Sequence, residues 1–385
     1  MTVTKDTKSG SASTTDFRPE SLRELARRAE KLAEWNKPDP EHQPPLGPQE
    51  YAAIDGYVPE TAACPPAERA KLVGVITRYC ESEGAEAAGT CYTGERLMAV
   101  GDSAGLFGYH RWTTAGLTCT VRTSGGAGSS RSLVEDVRDH RRLDAEAMVR
   151  RTHARARLSE HPRTLEAREY PILLEPQGVA MFMLWLAGSL DARAADEGRS
   201  AFSNRAEGGN LCGKKIVGER VTLASSPSHP QILGCPFHGD GRPVGETTWV
   251  ENGVLKNLYY SRYWAQKQGK PALGPAGASL VLSGGAGSVD DLLCEMKEGL
   301  LVTTLWYIRS VDPNQILVTG LTRDGVFWVE NGEIAYPVKN FRFNDSPLRL
   351  FSRVEAMSDP VPMYGHLAPA MRASAFGFTS VSDAI

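Results

Sequence analysis

Residues 319–334 read TGLTRDGVFWVENGEI, and this stretch decides the fold class of the second half of the chain. An apolar run ends just before Asn331-Gly332, and an Asn-Gly pair beside such a run is a strong short-range signal of a β-hairpin. Asp324-Gly325 and Glu251-Asn252-Gly253 carry the same kind of signal, so we predict turns there as well. Short strands joined by tight turns indicate an antiparallel sheet.

The character of the sequence changes at Tyr170, where YPILL predicts a strand that enters this hairpin-rich segment. The predicted fold class is α+β: an N-terminal α/β domain over residues 16–169 is followed by a mostly antiparallel, barrel-like β domain over residues 170–385. Residues 1–15 are polar and lack periodicity, which predicts a disordered tail. Residues 36–59 are rich in proline, which predicts an extended connector.

Apolar periodicity in the N-terminal domain predicts two helices and a pair of strands. The first helix is expected to begin at Pro19 and the second to span residues 65–83. The two strands are expected over residues 88–100 and 114–123. The glycine-rich residues 125–130 predict a flexible loop. Two further helical stretches are predicted after this loop, the second beginning near Asp144.

Composition excludes several classes of function and predicts a location. The formal net charge is −3, with both signs interspersed, so the chain has no bulk attraction for nucleic acid or anionic lipid. The apolar run 179–190 is shorter than the roughly 20 residues of a membrane span and predicts a buried helix. The start has no apolar signal segment, and the seven cysteines are scattered. We therefore expect reduced thiols and a cytoplasmic location.

The C-terminal half resembles the TldD/PmbA family, also called the modulator of gyrase family, in which PmbA is another name for TldE. The resemblance covers about residues 170–385, and it rests on the order and spacing of five motifs: CPFHGDG (235–241), WVENGVLKN (249–257), EGLLVT (298–303), LWYIRSVD (305–312) and residues 319–334. The LWYIR and LTRDG segments are similar to actinobacterial TldE-type subunits. The N-terminal part is more loosely similar.

The resemblance implies where the chemistry of such a protein lies. In this family the TldD subunit carries an HExxxH helix, and a distant cysteine supplies a further zinc ligand. With Gly178 and Gly188 aligned to the glycines that flank that helix, residues 182–187 of this chain read FMLWLA, and HExxxH occurs nowhere else. Apolar side chains make poor zinc ligands. We therefore expect neither a catalytic nor a metal site here, and we expect zinc in a partner subunit.

Two groups of residues are candidates for a site. Trp306, Tyr307 and Arg309 form an aromatic–arginine group that suits a substrate groove or an interface, and the alternative is strand packing with Trp306 buried. Cys235 and His238 have CxxH spacing and are the weaker candidate for a metal or thiol site. The alternative for this second pair is a tight surface turn.

Structural interpretations are weighed for five other residues. Pro236 and Gly239 would set the turn around Cys235 and His238. His110 is interpreted as a residue on the face of a sheet rather than a catalytic base. Arg323 and Asp324 could equally be part of a hairpin turn.

The resemblance implies one function, and two alternative functions stay open. The first hypothesis is a non-catalytic TldE-like subunit that forms a heterodimer with a TldD-like, zinc-bearing homologue, and the pair degrades or trims unstructured peptides. The second is an independent Cys- or metal-dependent hydrolase. The third is a stand-alone protein-binding factor. Contact with nucleic acid or membrane is not expected in any of them.

Overall fold

The computed structural model describes residues 1–277 and 279–382 and confirms the α+β fold class. A closed five-stranded β-barrel lies in the C-terminal region, which confirms the predicted barrel-like fold of that region. Across the described residues, none of the helices combines the length and apolarity that crossing a membrane demands.

The start of the chain is ordered, so the predicted disorder of residues 1–15 is wrong. Strands β1 (Thr2–Lys5) and β2 (Lys8–Ser11) form an antiparallel hairpin that packs on helix α1 (Pro19–Trp35). Gly10 permits this contact, because a Cβ there would lie 2.3 Å from the carbonyl oxygen of Ala29. The hairpin is polar and gains its order from the helix, so its own sequence carries little signal.

The rest of the N-terminal half follows the prediction except at one strand. No helix or strand lies between Asn36 and Val58, and the extended connector predicted there stays a prediction. The elements that follow are helices α2 (Pro59–Ala62) and α3 (Pro66–Ser82), strands β3 (Glu86–Gly101), β4 (Phe107–Arg122) and β5 (Ser129–Val137), and helix α4 (Ala145–Leu158).

The first of the two helical stretches predicted after residue 130 is wrong, because that segment is strand β5. Ser130, Leu133 and Val137 are its buried residues, and polar side chains between them hide the alternation from sequence. The second stretch is confirmed as α4, where the Asp144 carboxylate caps the helix by accepting from the Ala147 N–H at 2.9 Å.

Strands β3, β4 and β5 form an antiparallel sheet in that order, and α3 and α4 cover one of its faces. The buried side chains of this face alternate along β4 and meet the two helices in one apolar cluster. Its most buried members include Leu117, Cys119, Val121, Met148 and Val149. The opposite face of the sheet therefore points away from the helices and towards the C-terminal half.

The C-terminal half contains most of the strands. Its elements are β6 (Glu169–Leu174), α5 (Pro176–Gly188), α6 (Ala192–Asp196), β7 (Leu223–Ser225), β8 (Thr247–Glu251), β9 (Val254–Leu255), α7 (Arg262–Gln268), β10 (Leu280–Leu282), α8 (Val289–Cys294), β11 (Glu298–Asp312), β12 (Leu317–Glu330), β13 (Glu333–Pro337), β14 (Phe341–Asp345), α9 (Pro347–Ser352), β15 (Val354–Met357), β16 (Val361–Met363), β17 (His366–Ala368) and β18 (Met371–Val381).

The barrel strands run in the order β11-β6-β18-β14-β12, and β12 pairs with β11 to close the ring. A second, six-stranded sheet has the order β16-β17-β10-β7-β8-β9. One apolar cluster joins the barrel, this sheet and α5, and its members run from Tyr170 to Phe378. The predicted boundary near residue 169 lies between this cluster and the N-terminal one, and the boundary itself stays a prediction.

Two of the three predicted turns are confirmed. Asn252-Gly253 joins β8 to β9, and Asn331-Gly332 joins β12 to β13, with positive φ at every one of these four positions. Asp324-Gly325 is not a hairpin turn but a bulge inside β12. Val302 pairs with Val326 and Thr304 with Arg323, so two residues of β12 face the single residue between them on β11.

Candidate functional site

Two cavities meet between the three-stranded sheet and the barrel. One has a volume of about 420 Å³ and the other about 380 Å³, and Ser129 and Asp324 line both. We call the two together the Asp324 groove. The residues on which its chemistry depends are Arg122, Ser129, Arg131, Trp306, Arg323 and Asp324.

One wall of the groove is the face of the three-stranded sheet that α3 and α4 leave uncovered. Glu86 pairs with Arg122, and Arg122 pairs with Ser129, so these three residues form one row across the sheet. Arg131 pairs with Thr120, which lies two residues from Arg122 on the same face of β4. Side chains alternate between the two faces of a strand, and Val121 points into the helix-covered core. The two arginines therefore project from the opposite face.

The other wall comes from β11 and β12 of the barrel. Trp306 lies on β11, and Arg323 and Asp324 lie on β12 at the bulge. The guanidinium of Arg323 lies 5.6 Å from the centre of the Trp306 ring, a distance suited to a cation–π contact. The bulge is held by Thr303, whose hydroxyl donates to the Gly325 carbonyl at 3.0 Å.

Asp324 is the buried charge at the centre of the groove. Its φ of 57° lies in the left-handed region, and its side chain is 9 % exposed. Burial raises the pKa of the Asp324 carboxyl, and the nearby guanidinium groups of Arg323, Arg131 and Arg122 oppose that rise. Its Oδ1 atom accepts a long hydrogen bond from the Ser129 hydroxyl at 3.5 Å.

The predicted aromatic–arginine group is only partly brought into the groove. Trp306 is 44 % exposed, so the structure does not support the alternative in which strand packing buries it. Tyr307, with φ of 54°, is exposed, and the Arg309 guanidinium lies 4.5 Å from its ring centre. Tyr307 and Arg309 do not line the two cavities. They form an exposed aromatic–arginine pair next to the groove.

Sequence reasoning missed most of the charged residues of the groove. Arg122 and Arg131 come together only through the pairing of β4 with β5, and β5 was predicted as a helix. The interpretation of Arg323 and Asp324 as a turn is wrong for a related reason. The Asp-Gly signal is the same for a turn and for a bulge, and only the pairing with β11 distinguishes them.

Cys235 and His238 lie in a tight turn, away from the groove. The His238 N–H donates to the Arg242 carbonyl and the Gly241 N–H to the His238 carbonyl, both at 2.8 Å. The Cys235 thiol donates to the Phe237 carbonyl at 3.3 Å. Among residues 1–277 and 279–382, no group of three or more His, Cys, Asp or Glu side chains is placed to hold a metal ion.

The pKa shifts of Cys235 and His238 also differ from those of a reactive Cys–His pair. Burial raises the pKa of the Cys235 thiol, whereas a nucleophilic cysteine needs a lowered pKa. Burial lowers the pKa of His238, and Arg242 contributes in the same direction. The pKa shifts therefore favour a neutral Cys235 thiol and a neutral His238 imidazole in a structural turn.

His110 lies on β4 as a buried residue on the face of a sheet. Its Nε2 atom is 3.0 Å from the Gly234 carbonyl oxygen, and its ring stacks on Trp112 with 5.5 Å between the centres. Burial lowers its pKa. These contacts tie the β3–β4 ribbon to the segment that leads into the Cys235 turn.

Helix α5 does not fit a zinc ion. Phe182 is fully buried, and its ring lies 5.9 Å from that of Phe343 and 5.6 Å from that of Phe376, centre to centre. Met183 and Leu186 are also fully buried, and Ala187 is 4 % exposed. The inner face of the helix is thus part of the apolar core and offers no nitrogen or carboxylate ligand.

The family model described as the PmbA/TldA metallopeptidase C-terminal domain matches residues 167–380. The metalloprotease PmbA of Escherichia coli O157:H7 is 26 % identical over 361 residues, which cover 88 % of this chain and 75 % of that protein. The zinc metalloprotease TldD homolog of Saccharolobus solfataricus is 26 % identical over 212 residues, covering 51 % of this chain and 45 % of the homolog.

A solved structure shares the fold along nearly the whole chain. TldE from Thermococcus kodakarensis superposes with a TM-score of 0.85 at 20 % identity, covering 98 % of this chain and 89 % of that one. At this identity the likeness establishes the fold alone, and the family assignment comes from the match over residues 167–380. The chain belongs to the PmbA/TldD metallopeptidase family.

Proposed function

We propose that this chain is the metal-free, TldE-like subunit of a two-subunit peptidase whose TldD-like homologue carries zinc. The observation that carries the proposal is helix α5, where Phe182 and its neighbours fill an apolar core at the place where the resemblance puts zinc ligands. A subunit without ligands contributes to cleavage by shaping the substrate site and not by activating water.

The Asp324 groove is the site that we propose for the substrate peptide. Each barrel strand pairs on both sides, so the ring offers no open edge to an extended peptide. In the three-stranded sheet, β3 and β5 are the outer strands, and residues of both strands line the groove. Main-chain pairing at a sheet edge is a common way to hold an unstructured peptide.

The test is co-expression of this chain with a TldD-like homologue, followed by isolation of the complex. We expect a stable heterodimer that buries more than the roughly 1,600 Å² of a standard interface, as obligate pairs do. Cleavage of an unstructured peptide should appear in the pair, and replacing the Glu of the partner's HExxxH motif should abolish it. This chain alone should cleave weakly or not at all.

A matched variant separates this proposal from an independent hydrolase. Cys235→Ala should leave cleavage by the pair nearly unchanged, because the Cys235 thiol lies in a structural turn and burial raises its pKa. Peptide cleavage by the isolated chain that survives a chelator would exclude the subunit role. It would favour a hydrolase whose site lies within this chain.

We propose a cytoplasmic location for the pair, with no nucleic-acid or membrane contact. All seven cysteines are free thiols, as expected in a reducing compartment. The net charge of −3 gives no bulk attraction for phosphate backbones. Fractionation of cells that express a tagged chain tests this location.

A further inference from the structure

We propose that the Asp324 groove selects a carboxylate of the peptide, which Arg122, Arg131 and Arg323 bind. The carboxylate is either the C-terminal group of the peptide or the side chain of an Asp or Glu residue. This inference rests on the proposed function, because it assigns a preference to the same peptide site.

Three guanidinium groups converge on the larger cavity from three different strands. Arg122 comes from β4, Arg131 from β5 and Arg323 from β12. Arg131 pairs with Thr120, two positions from the pair of Arg122 and Ser129 on the same face, so the two like charges lie diagonally across neighbouring strands and repel each other. An anion between them would remove this repulsion.

These arginines lack the partners that other arginines of the chain have. Within the described residues, none of the three forms an ion pair, whereas Arg155 pairs with Glu175 and Arg193 with Glu41. Glu86 faces Arg122 across the strand pair without forming one. Guanidinium groups match the planar geometry of a carboxylate and can bind it through two parallel hydrogen bonds.

The charge balance of the groove also favours an anion. Asp324 is the buried carboxyl beside the three arginines, and Glu86 is exposed at the rim. The lining of the cavity thus has two acidic groups against three guanidinium groups, and Glu135 interacts with Arg131 from outside the lining. Arg131 and Arg323 are half-buried, so their charges are less screened by water than those of surface arginines.

The backbone around Arg323 is held in a conformation that places it in the groove. Asp324 and Gly325 have φ values of 57° and 135°, and the Thr303 hydroxyl contacts the carbonyl oxygens of both residues. Bulges commonly redirect a side chain next to a functional site. The Trp306 ring then supports the Arg323 guanidinium from one side.

The experiment measures binding of fluorescein-labelled, unstructured ten-residue peptides to the full-length chain by fluorescence anisotropy. One peptide has a free C-terminal carboxylate and no acidic residue, and its matched control is the C-terminal amide. A second pair carries one internal Glu or Gln, and both members end in an amide. We expect the carboxylate member of at least one pair to bind about 10-fold more tightly, and the pair that does so identifies the source.

Variants test whether the arginines are responsible. Arg131→Gln and Arg323→Gln should each reduce the preference for the carboxylate peptide to below about 3-fold. Arg205→Gln makes the same charge change in an exposed loop outside the groove and should leave the preference intact. Circular dichroism of every variant checks that the fold is retained.

Equal affinity for the acid and neutral members of both pairs would overturn the inference, as would an equal loss of preference in Arg205→Gln. If the isolated chain binds no peptide, KM of the heterodimer for the same peptides decides, and equal KM values overturn it. The proposed function fails separately. A heterodimer that cleaves peptides without preferring a carboxylate refutes only the inference. A chain that binds carboxylate peptides preferentially without supporting cleavage refutes only the subunit role.

Discussion

At the scale of single residues, His366 makes stability depend on pH. It lies on β17 with 8 % exposure, and its Nδ1 atom accepts from the Leu280 N–H of β10 at 3.1 Å. Burial lowers the pKa of His366 to about 4, although Asp136 acts in the opposite direction. The ring is therefore neutral in the folded chain at neutral pH.

The sign of the effect follows from where the proton binds. The unfolded chain takes up a proton on this residue near pH 6.5, whereas the folded chain does so only near pH 4. The stabilising contribution is complete above about pH 6.5 and is lost as the pH falls towards 4. The loss from this residue is about 3 kcal/mol in the free energy of unfolding.

We predict that His366→Asn removes this part of the pH dependence, because its amide oxygen can still accept from Leu280 but does not titrate. Urea unfolding at several pH values between 4 and 7 measures it. His161→Asn is the matched control, since His161 is exposed and its φ of 56° suits asparagine. The prediction fails if the His366→Asn and wild-type curves remain parallel.

Residue-scale chemistry of this kind depends on neighbours that are far away in sequence. Nothing local to His366 indicates that Leu280 will donate to it, and nothing local to Arg131 indicates that Arg323 will lie opposite. Trp306 was identified from sequence because an aromatic pair with a nearby arginine suits an interface or a peptide groove. The charged residues of the groove need the sheet pairing before they form a group.

At the scale of elements, α5 packs differently on its two faces. Its inner face carries Phe182 against Phe343 and Phe376, and its outer face has half-buried Leu184 and Trp185 at a shallow surface cavity. Helix α5 therefore supports the barrel, and its inner face contributes more to the packing than its outer face.

We predict that Phe182→Ala lowers the free energy of unfolding by about 3–5 kcal/mol, because the lost ring leaves a cavity among other rings. Leu184→Ala, on the outer face of the same helix, should cost only about 1 kcal/mol. Midpoints of urea denaturation report both variants. Comparable losses in the two variants would show that α5 packs differently from the arrangement described here.

Elements whose apolar pattern is local could be predicted from the sequence. Helix α3, the start of α4, strand β6 and the two Asn-Gly hairpins fall where periodicity and turn residues placed them. Strand β5 and the N-terminal hairpin did not, because polar residues dominate them and their order comes from β4 and α1. Tertiary pairing overrides local preference in such segments.

At the scale of the whole molecule, the absence of metal ligands on α5 gives a direct prediction. The purified chain should contain far less than one zinc per chain, and its fold should persist after treatment with a chelator. Elemental analysis and circular dichroism before and after chelation measure this. About one tightly held zinc per chain would contradict the prediction and direct attention to Cys235 and His238.

The place of β18 in the barrel has a consequence for how the protein is made. This strand lies between β6 and β14, and it pairs Met371 with Leu174, a partner that the ribosome delivers roughly 200 residues earlier. At an elongation speed of about 5–20 residues per second, β6 waits about 10 seconds or longer for this neighbour. During translation the nascent chain therefore displays an apolar strand with at least one edge unpaired, and we expect that interval to be when it most needs a chaperone.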